Sequence, residues 1–399
     1  MSFPPRSWGR PRVDLFAVEP HAVQLTWSGL GAGPIRVDVR PGPGARVVAG
    51  DGGPGGVVVD GLVPGTPVDI AVHGPGLARE GVALRARPPE PPPGPERFRF
   101  ATVSDLHLGA TRFGLTRRMR ERGHPTEPHP LRCARAALAE ALAWGAELVV
   151  VKGDLVDEGH PEQWVAADAL LGGLGVPVEI VPGNHEVRRG RLSDPPSHLG
   201  GGTVEITRGV KVRDVPGLRM VLIDTTILER GHGRVHHHAD ALDAALADAP
   251  TPVWIGLHHH PQRFALPWFW PPGIPGREAR RFLQTVAHHA PDALVTTGHT
   301  HRNRRHDRHP PLVTEVCSTK DYPGGWAGYT VHDGGIVQTV RRTLDPSAMA
   351  WTEYTRHAVG GVWGRWAPGR VDDRCLVHRW DLPTGAAAPQ ATSESTSPT

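Results

Sequence analysis

Leu148-Val149-Val150-Val151-Lys152-Gly153-Asp154 and, further on, Val178-Glu179-Ile180-Val181-Pro182-Gly183-Asn184-His185-Glu186 decide the fold. Each is a short, strand-like apolar run that stops at a glycine and then offers polar side chains. Between them, Gln163 to Leu174 carries a helical pattern. Before them, Leu131 to Trp144 is rich in Ala and Leu, with Arg and Glu at helical spacing and Gly145 behind it. Later, Ala239 to Leu246 reads as a short helix and Arg277 to His289 as a longer one, with a strand from Ala293 to Thr297 after it. Strands alternating with helices from Phe98 onward specify an α/β domain.

Five such runs end in side chains able to bind metal. FRFATV leads into Ser104-Asp105-Leu106-His107, LVVV into Lys152-Gly153-Asp154, and VEIV into Pro182-Gly183-Asn184-His185-Glu186. VWIGL leads into His258-His259-His260-Pro261, and ALVTT into Gly298-His299-Thr300-His301. In α/β sheets, sites form beyond the carboxyl ends of the strands, where loops converge while the sheet holds them. Two cations about 3.5–4 Å apart need a shared anionic bridge, which a carboxylate supplies, with oxygen and nitrogen ligands in the remaining positions. Asp105 and His107 are two residues apart, as are His299 and His301, so an extended backbone would aim each pair to one side. Glycines before Asp154, Asn184 and His299 suit tight turns and close backbone approach.

The ordered set D-x-H, G-D, G-N-H-E, a histidine after a strand, and G-H-x-H resembles the calcineurin-like metallophosphoesterase superfamily over Phe98 to Arg342. The resemblance implies a four-layer α/β/β/α sandwich. It implies two divalent ions (Mn, Fe or Zn), the first held by Asp105, His107 and His301. The second would be held by Asn184, His258 and His299, with Asp154 bridging the two. His259 is the alternative to His258 within the histidine triplet. His185 would lie by the substrate phosphate, stabilising the transition state or protonating the leaving oxygen. The implied reaction is hydrolysis of a phosphate ester by a hydroxide bridging the two ions, with a phosphodiester such as a cyclic nucleotide favoured. A phosphomonoesterase, a nuclease and a non-catalytic metal-containing module are the alternatives. Purple acid phosphatases carry D-x-G and a tyrosine three residues after the G-D aspartate. His107 and Asp157 stand there in this chain, so their tyrosinate centre is not expected. GDLVDEG and LHHHP look more like bacterial cyclic-nucleotide phosphodiesterases.

Residues from about 10 to 87 read as all-β. Val23, Leu25 and Trp27 alternate, as do Ile35, Val37 and Val39, with turns between the runs. Gly61-Leu62-Val63-Pro64-Gly65-Thr66 and the following Val68, Ile70 and Val72 resemble a fibronectin type III motif, with Val68 where that family usually has tyrosine. PPEPPPGP from Pro88 to Pro95 reads as a stiff linker. The expected units are a β-sandwich with linker over 1–94, the metal domain with a C-terminal closure over 95–381, and a disordered tail over 382–399. Trp351, Trp363, Trp366 and Trp380 are the candidate closure.

Three scattered cysteines with no CxxC argue against a disulfide framework or a thiolate zinc site. No apolar leader core and no membrane-length apolar run are present, which gives the expectation of a cytoplasmic protein with no membrane partner. A net charge of +3 does not argue for nucleic acid. The expected partner is a small, nucleotide-like phosphate ester, and oligomeric state is not readable. The Arg112 to Arg122 run reads as a solvated face, with guidance of an anionic substrate as the alternative. Arg302, Arg304 and Arg305 read equally as phosphate contacts or plain surface. His236 to His238 reads as a surface loop. Phe264 to Trp270 reads as a packed connection or an aromatic wall.

Overall fold

A computed structural model describes residues 10–114, 118–121, 127–187, 198–247, 249, 252–262 and 271–380. Phe264 to Trp270, the middle of the Arg112 to Arg122 run and the 382–399 tail lie outside them.

The N-terminal strands form a sandwich. Arg12–Val18, Ala22–Ser28 and Gly55–Asp60 make an antiparallel three-stranded sheet. Gly44–Asp51, Ala32–Arg40, Val68–His73 and Val82–Ala86 make the four-stranded one. The alternating side chains fill the space between them: Val23, Leu25, Trp27, Ile35, Val37, Val39, Ile70 and Val72 are buried together.

Alternation fails on the outer face of Ala22–Ser28, where Gln24 and Thr26 are also buried. The second domain covers them. Gln24 Nε2 donates to the Arg342 carbonyl at 2.9 Å, and Gln24 Oε1 accepts from the Arg342 N–H at 2.8 Å. One side chain thus satisfies the donor and acceptor of a buried backbone residue. Arg341 grips Glu19 through two hydrogen bonds of 2.7 and 2.8 Å. The proline-rich segment does not run free. Gly334 N–H donates to the Pro93 carbonyl, and Arg379 donates to the carbonyls of Glu90 and Pro91.

From Glu96 the chain builds four layers. One sheet has eight strands, among them Glu96–Val103, Val149–Lys152 and Val178–Val181, which run parallel. The other has six, among them Leu218–Ile223, Val253–Leu257 and Leu294–Thr297, also parallel. Period-2 side chains assign the faces. Val149 and Val151 meet helices His129–Ala143 and Pro161–Leu171 through Ala137, Leu138, Ala167 and Leu170. Leu148 and Val150 instead meet Met220, Leu222 and Trp254 of the second sheet. Val221, Ile223 and Ile255 turn outward to helices Ala239–Ala247 and Gly276–His289. The order is therefore helix, sheet, sheet, helix. The expected helices occur with ends shifted by a few residues, within the usual ambiguity of helix termini.

Trp351 packs with Cys133 and Ala348, and Trp380 joins the inter-sheet core. Trp366 stays 41% exposed but lays its ring against Arg302, with Trp363 beside it. All three cysteines are free. No helix among the described residues is long and apolar enough to cross a membrane.

Replacing Gln24 with Ala leaves the Arg342 N–H and C=O buried without partners. Each such group costs about 1–3 kcal/mol. Urea denaturation is expected to show a loss of about 2–4 kcal/mol. A loss under about 0.5 kcal/mol, the range of ordinary surface substitutions, would mean the docking is superficial.

Candidate metal centre

Within each sheet, the parallel strands bring their carboxyl ends to one edge, and the loops from both sheets meet there. Asp105 and His107 follow Glu96–Val103, and Asp154 follows Val149–Lys152. Asn184 and His185 follow Val178–Val181, His258 follows Val253–Leu257, and His299 and His301 follow Leu294–Thr297.

The loops are not extended, contrary to the geometry expected of the paired motifs. Asp105, His107, Asp154, His299 and His301 have φ of 55°, 48°, 50°, 67° and 55°. Only two other non-glycine residues among those described, Glu229 and Val359, have positive φ. Left-handed backbone disfavours side-chain-bearing residues, at about 1–3 kcal/mol each. Such strain concentrates where a site needs it. Gly153 (φ 80°) belongs to the same turn, and a Cβ there would collide with the His258 ring. A Cβ on Gly183 would strike Asp154.

The side-chain atoms fall into two groups that share one carboxylate. On one side, His107 Nε2 lies 3.4 Å from His301 Nε2 and 3.5 Å from Asp154 Oδ2, and His301 Nε2 lies 3.4 Å from Asp105 Oδ1. On the other, His258 Nε2 lies 3.1 Å from His299 Nδ1, 3.2 Å from Asn184 Oδ1 and 3.4 Å from Asp154 Oδ1. Ligands bound at about 2.0–2.2 Å to one cation stand about 2.8–3.1 Å apart at adjacent octahedral corners and about 3.3–3.6 Å apart at tetrahedral ones. The spacing of both groups fits that requirement. Asp154 gives one oxygen to each group.

The outward nitrogen of every one of these four imidazoles is engaged. His107 Nδ1 meets Asp157 at 3.1 Å, and His301 Nδ1 meets Asp321 at 2.6 Å. His258 Nδ1 meets the Lys152 carbonyl at 2.9 Å, and His299 Nε2 meets the Pro272 carbonyl at 3.1 Å. Metal-binding histidines are oriented this way, with the inward nitrogen left free of a proton for the ion. The donor set therefore fits divalent cations that accept mixed nitrogen and oxygen ligands. His259 behaves differently. Its Nδ1 is 2.7 Å from Thr225 Oγ1, and its Nε2 is buried without a partner. It can join His258 and His299 in a three-histidine group, but it contacts neither Asn184 nor Asp154. The geometry favours His258.

Electrostatics follow from crowding buried groups of both signs. Burial disfavours the charged form of His258, but Asp154 overrides it and raises His258 to about 9. Asp321 and Asp105 likewise overcome burial and raise His301 to about 10. Burial and neighbouring positive charge hold His107 and His299 well below the usual histidine range. Asp154 is buried yet stays well below the carboxylate range because His258, His185 and His107 surround it. Glu186 is fully buried and accepts from the N–H groups of Asp154, Gly183 and Val156 at 2.9, 2.6 and 2.9 Å, tying its own loop to the one that carries Asp154. Burial nonetheless lifts its carboxyl to about 7.

His185 sits at the open side. Its ring is edge-on to that of His107, with centroids 4.3 Å apart. Its Nδ1 is held by the Asp157 carbonyl and carboxylate, and its Nε2 is 3.9 Å from Asp154 Oδ2. Burial works against its charge, but Asp154 and Asp157 prevail and raise its pKa.

Asp157 and Asp321, the two anchoring carboxylates, carried no role in the sequence reading. Asp321 follows an apolar strand, Leu312–Glu315, as the ligands follow theirs, and that was the available signal. Arg302, Arg304 and Arg305 are neither phosphate clamps nor plain surface. Arg302 is buried against the Trp366 ring at 4.0 Å and faces Glu315, while Arg304 and Arg305 pair with Asp373 and Asp307. His236–His238 forms a single surface turn.

A family model described as calcineurin-like phosphoesterase matches residues 98–303, more than half of the chain. A protein of Synechococcus sp. described as a probable cyclic nucleotide phosphodiesterase is 27% identical over 63% of this chain and 94% of its own length. A glycerophosphodiester phosphodiesterase of Enterobacter lignolyticus is 30% identical over 29% of this chain and 42% of its own length. A purple acid phosphatase from yellow lupin seeds superimposes with a TM-score of 0.44 and 14% identity over 84% of this chain and 72% of that one.

Two predictions follow from the proton inventory. Ligation needs the imidazole nitrogens free of protons, whereas His258 and His301, at about 9 and 10, are protonated in the metal-free protein at neutral pH. Titrating Mn²⁺ into metal-free protein at pH 7 is expected to release about two protons, with apparent affinity rising toward pH 9. Calorimetry in buffers of unlike ionisation enthalpy counts them, and a count of zero contradicts this account. Asp321→Ala is expected to weaken metal binding about 10–100-fold with an unchanged circular dichroism spectrum.

Proposed function

The chain belongs to the calcineurin-like phosphoesterase family, hydrolases of phosphoric esters, and from that premise we propose that it is a two-metal phosphodiesterase acting on a small, nucleotide-like substrate. One observation carries this reading: Asp154 offers Oδ2 to the His107 group and Oδ1 to the His258 group, so one buried carboxylate serves two ligand sets. In this reading Asp105, His107, His301 and Asp154 hold the first ion, and Asn184, His258, His299 and Asp154 the second. When bound, such ions supply an activated water near neutral pH and offset charge on the phosphoryl oxygens.

The remaining work falls to the protein. His185 Nδ1 donates to the Asp157 carbonyl, so its Nε2 carries a proton in the imidazolium form, which burial opposes but Asp154 and Asp157 favour. That proton is available to a phosphoryl oxygen or to the departing oxygen. Asp157 orients His107 and His185 together, so ion binding and proton donation share one anchor. The similarity to proteins described as cyclic nucleotide and glycerophosphodiester phosphodiesterases supports a diester over a monoester. A nuclease would need a basic groove with aromatic platforms. The Arg302–Arg305 segment, engaged with protein carboxylates, does not furnish one. We also take residues 1–94, 95–381 and 382–399 as the sandwich, the metal domain and a tail. No strand of the sandwich pairs with a sheet of the metal domain among the described residues.

With Mn-loaded enzyme, Asp154→Ala and Asn184→Ala are each expected to lower hydrolysis of an aryl phosphodiester by about 100-fold or more while the protein stays folded. Unchanged turnover in both would sink the mechanism. His185→Ala is expected to cut kcat by about 10²–10³-fold with metal content intact. Parallel loss of metal would reassign His185 as a ligand. A panel of cyclic nucleotides, glycerophosphodiesters, nucleotide monoesters and single-stranded DNA decides the substrate class.

A further inference from the structure

Two lysines have mostly buried side chains near the candidate centre, and only one has a protein acceptor for its ammonium. Lys152 is fully buried, and its ammonium donates to Thr296 Oγ1 at 2.6 Å and to the Thr297 carbonyl at 3.3 Å. Lys320 is only 6% exposed, yet its ammonium has no hydrogen-bond acceptor and no carboxylate within ion-pair distance among the described residues. Its one close neighbour of note is the Phe113 ring, whose centroid is 5.8 Å away.

The Lys320 backbone is pinned at the centre. Its N–H donates to Ser318 Oγ at 3.1 Å, and its carbonyl accepts from Trp351 Nε1 at 2.6 Å. The next residue, Asp321, anchors His301. Its charge is felt across the first ligand group, where it disfavours protons on both His107 and Asp157. An ammonium without a protein acceptor, on a side chain otherwise packed in place, is a donor held ready for an anion. Cations beside it would add repulsion, not relief. An anion that reaches the ions and the lysine together is the partner this free donor fits.

We infer that Lys320 is a substrate-binding residue, donating to a phosphoryl oxygen of the ester bound beside Asp105, His107 and His301, and retaining it in the phosphate product. This rests on the phosphoesterase reading above. It adds a third positive group, on the side of the centre next to Phe113, to the two ions.

The test uses the full chain loaded with Mn²⁺ and the variants Lys320→Gln and Lys320→Arg. The readouts are kcat and KM on an aryl phosphodiester, the inhibition constant of inorganic phosphate, metal content and thermal midpoint. Lys320→Gln is expected to raise KM and the phosphate inhibition constant by about tenfold or more, the worth of a hydrogen bond to a charged group. Metal content should hold, and the midpoint should stay, because the ammonium makes no hydrogen bond to the protein among the described residues. Lys320→Arg should recover part of the loss. An unchanged phosphate inhibition constant in Lys320→Gln overturns the inference. So does a fall in midpoint and metal content that Lys320→Arg does not rescue, since that marks a structural lysine. If wild type hydrolyses nothing in the panel, the functional reading fails. Calorimetric binding of inorganic phosphate to wild type and Lys320→Gln then still decides the role of Lys320.

Discussion

A single buried carboxylate shared between two groups of candidate metal ligands constrains the rest of the molecule. Asp154 is 2% exposed and lies within 3.5 Å of imidazole nitrogens on both sides. Holding that arrangement requires its own loop to turn left-handed, with φ of 50°, and the neighbouring loops to do the same at Asp105, His107, His299 and His301. At about 1–3 kcal/mol each, five such residues cost a sum comparable to the stability of a whole domain. The site can exist only because packing elsewhere over-determines it. Three layers of apolar contact, helix to sheet, sheet to sheet and sheet to helix, fix the strands whose ends carry the strained loops.

The electrostatic side of the same constraint explains the outer ring of partners. Asp105, Asp154, Asp157 and Asp321 bring four carboxyl groups into one buried region. Without cations, protons on His258 and His301 balance part of that charge. Lys152, fully buried beneath Asp105, balances more, though burial drives its ammonium down to about 7. Glu186 contributes geometry and not ligation: its two oxygens gather the N–H groups of Asp154, Val156 and Gly183. The glutamate of G-N-H-E is therefore a clamp on the turn that presents Asp154.

The α/β alternation and the five metal-capable clusters were legible because each cluster follows an apolar run at a strand end, a local pattern that survives folding, whereas the four-layer order came with the resemblance those motifs carry. Strands Val149–Lys152 and Val178–Val181 are apolar on both faces because helices cover one and the other sheet covers the second. What was not legible is what distance along the chain conceals. Asp321 meets His301 from twenty residues away, and the apolar strand before it does not tell which of the following residues points inward. The choice between His258 and His259 depended on which ring reaches Asp154, which no spacing rule decides. The paired motifs misled on backbone form, since period-2 alternation presumes extension and the loops are left-handed. Arg302 looked available for phosphate because sequence cannot show that Trp366 and Glu315 close over it.

The sandwich also bears on the metal loops, through a continuous set of hydrogen bonds. Arg374 donates to the Phe16 carbonyl of the sandwich at 2.7 Å and to the carbonyls of Pro368 and Gly369 at 2.8 Å each. Asn303, two residues past His301, donates its amide to the same Pro368 carbonyl at 3.3 Å and its backbone N–H to Ala367 at 2.9 Å. Asn303 Oδ1 in turn accepts from Cys317 N–H at 3.0 Å, three residues before Lys320. Arg374 is itself buried, so its guanidinium must spend its donors on carbonyls, and it spends them on both domains at once. Through these contacts the segment carrying His301 and the segment carrying Lys320 and Asp321 are tied to each other and to the sandwich. A strained loop needs rigid surroundings more than it needs extra ligands. The docked sandwich supplies some of that rigidity from outside the α/β layers.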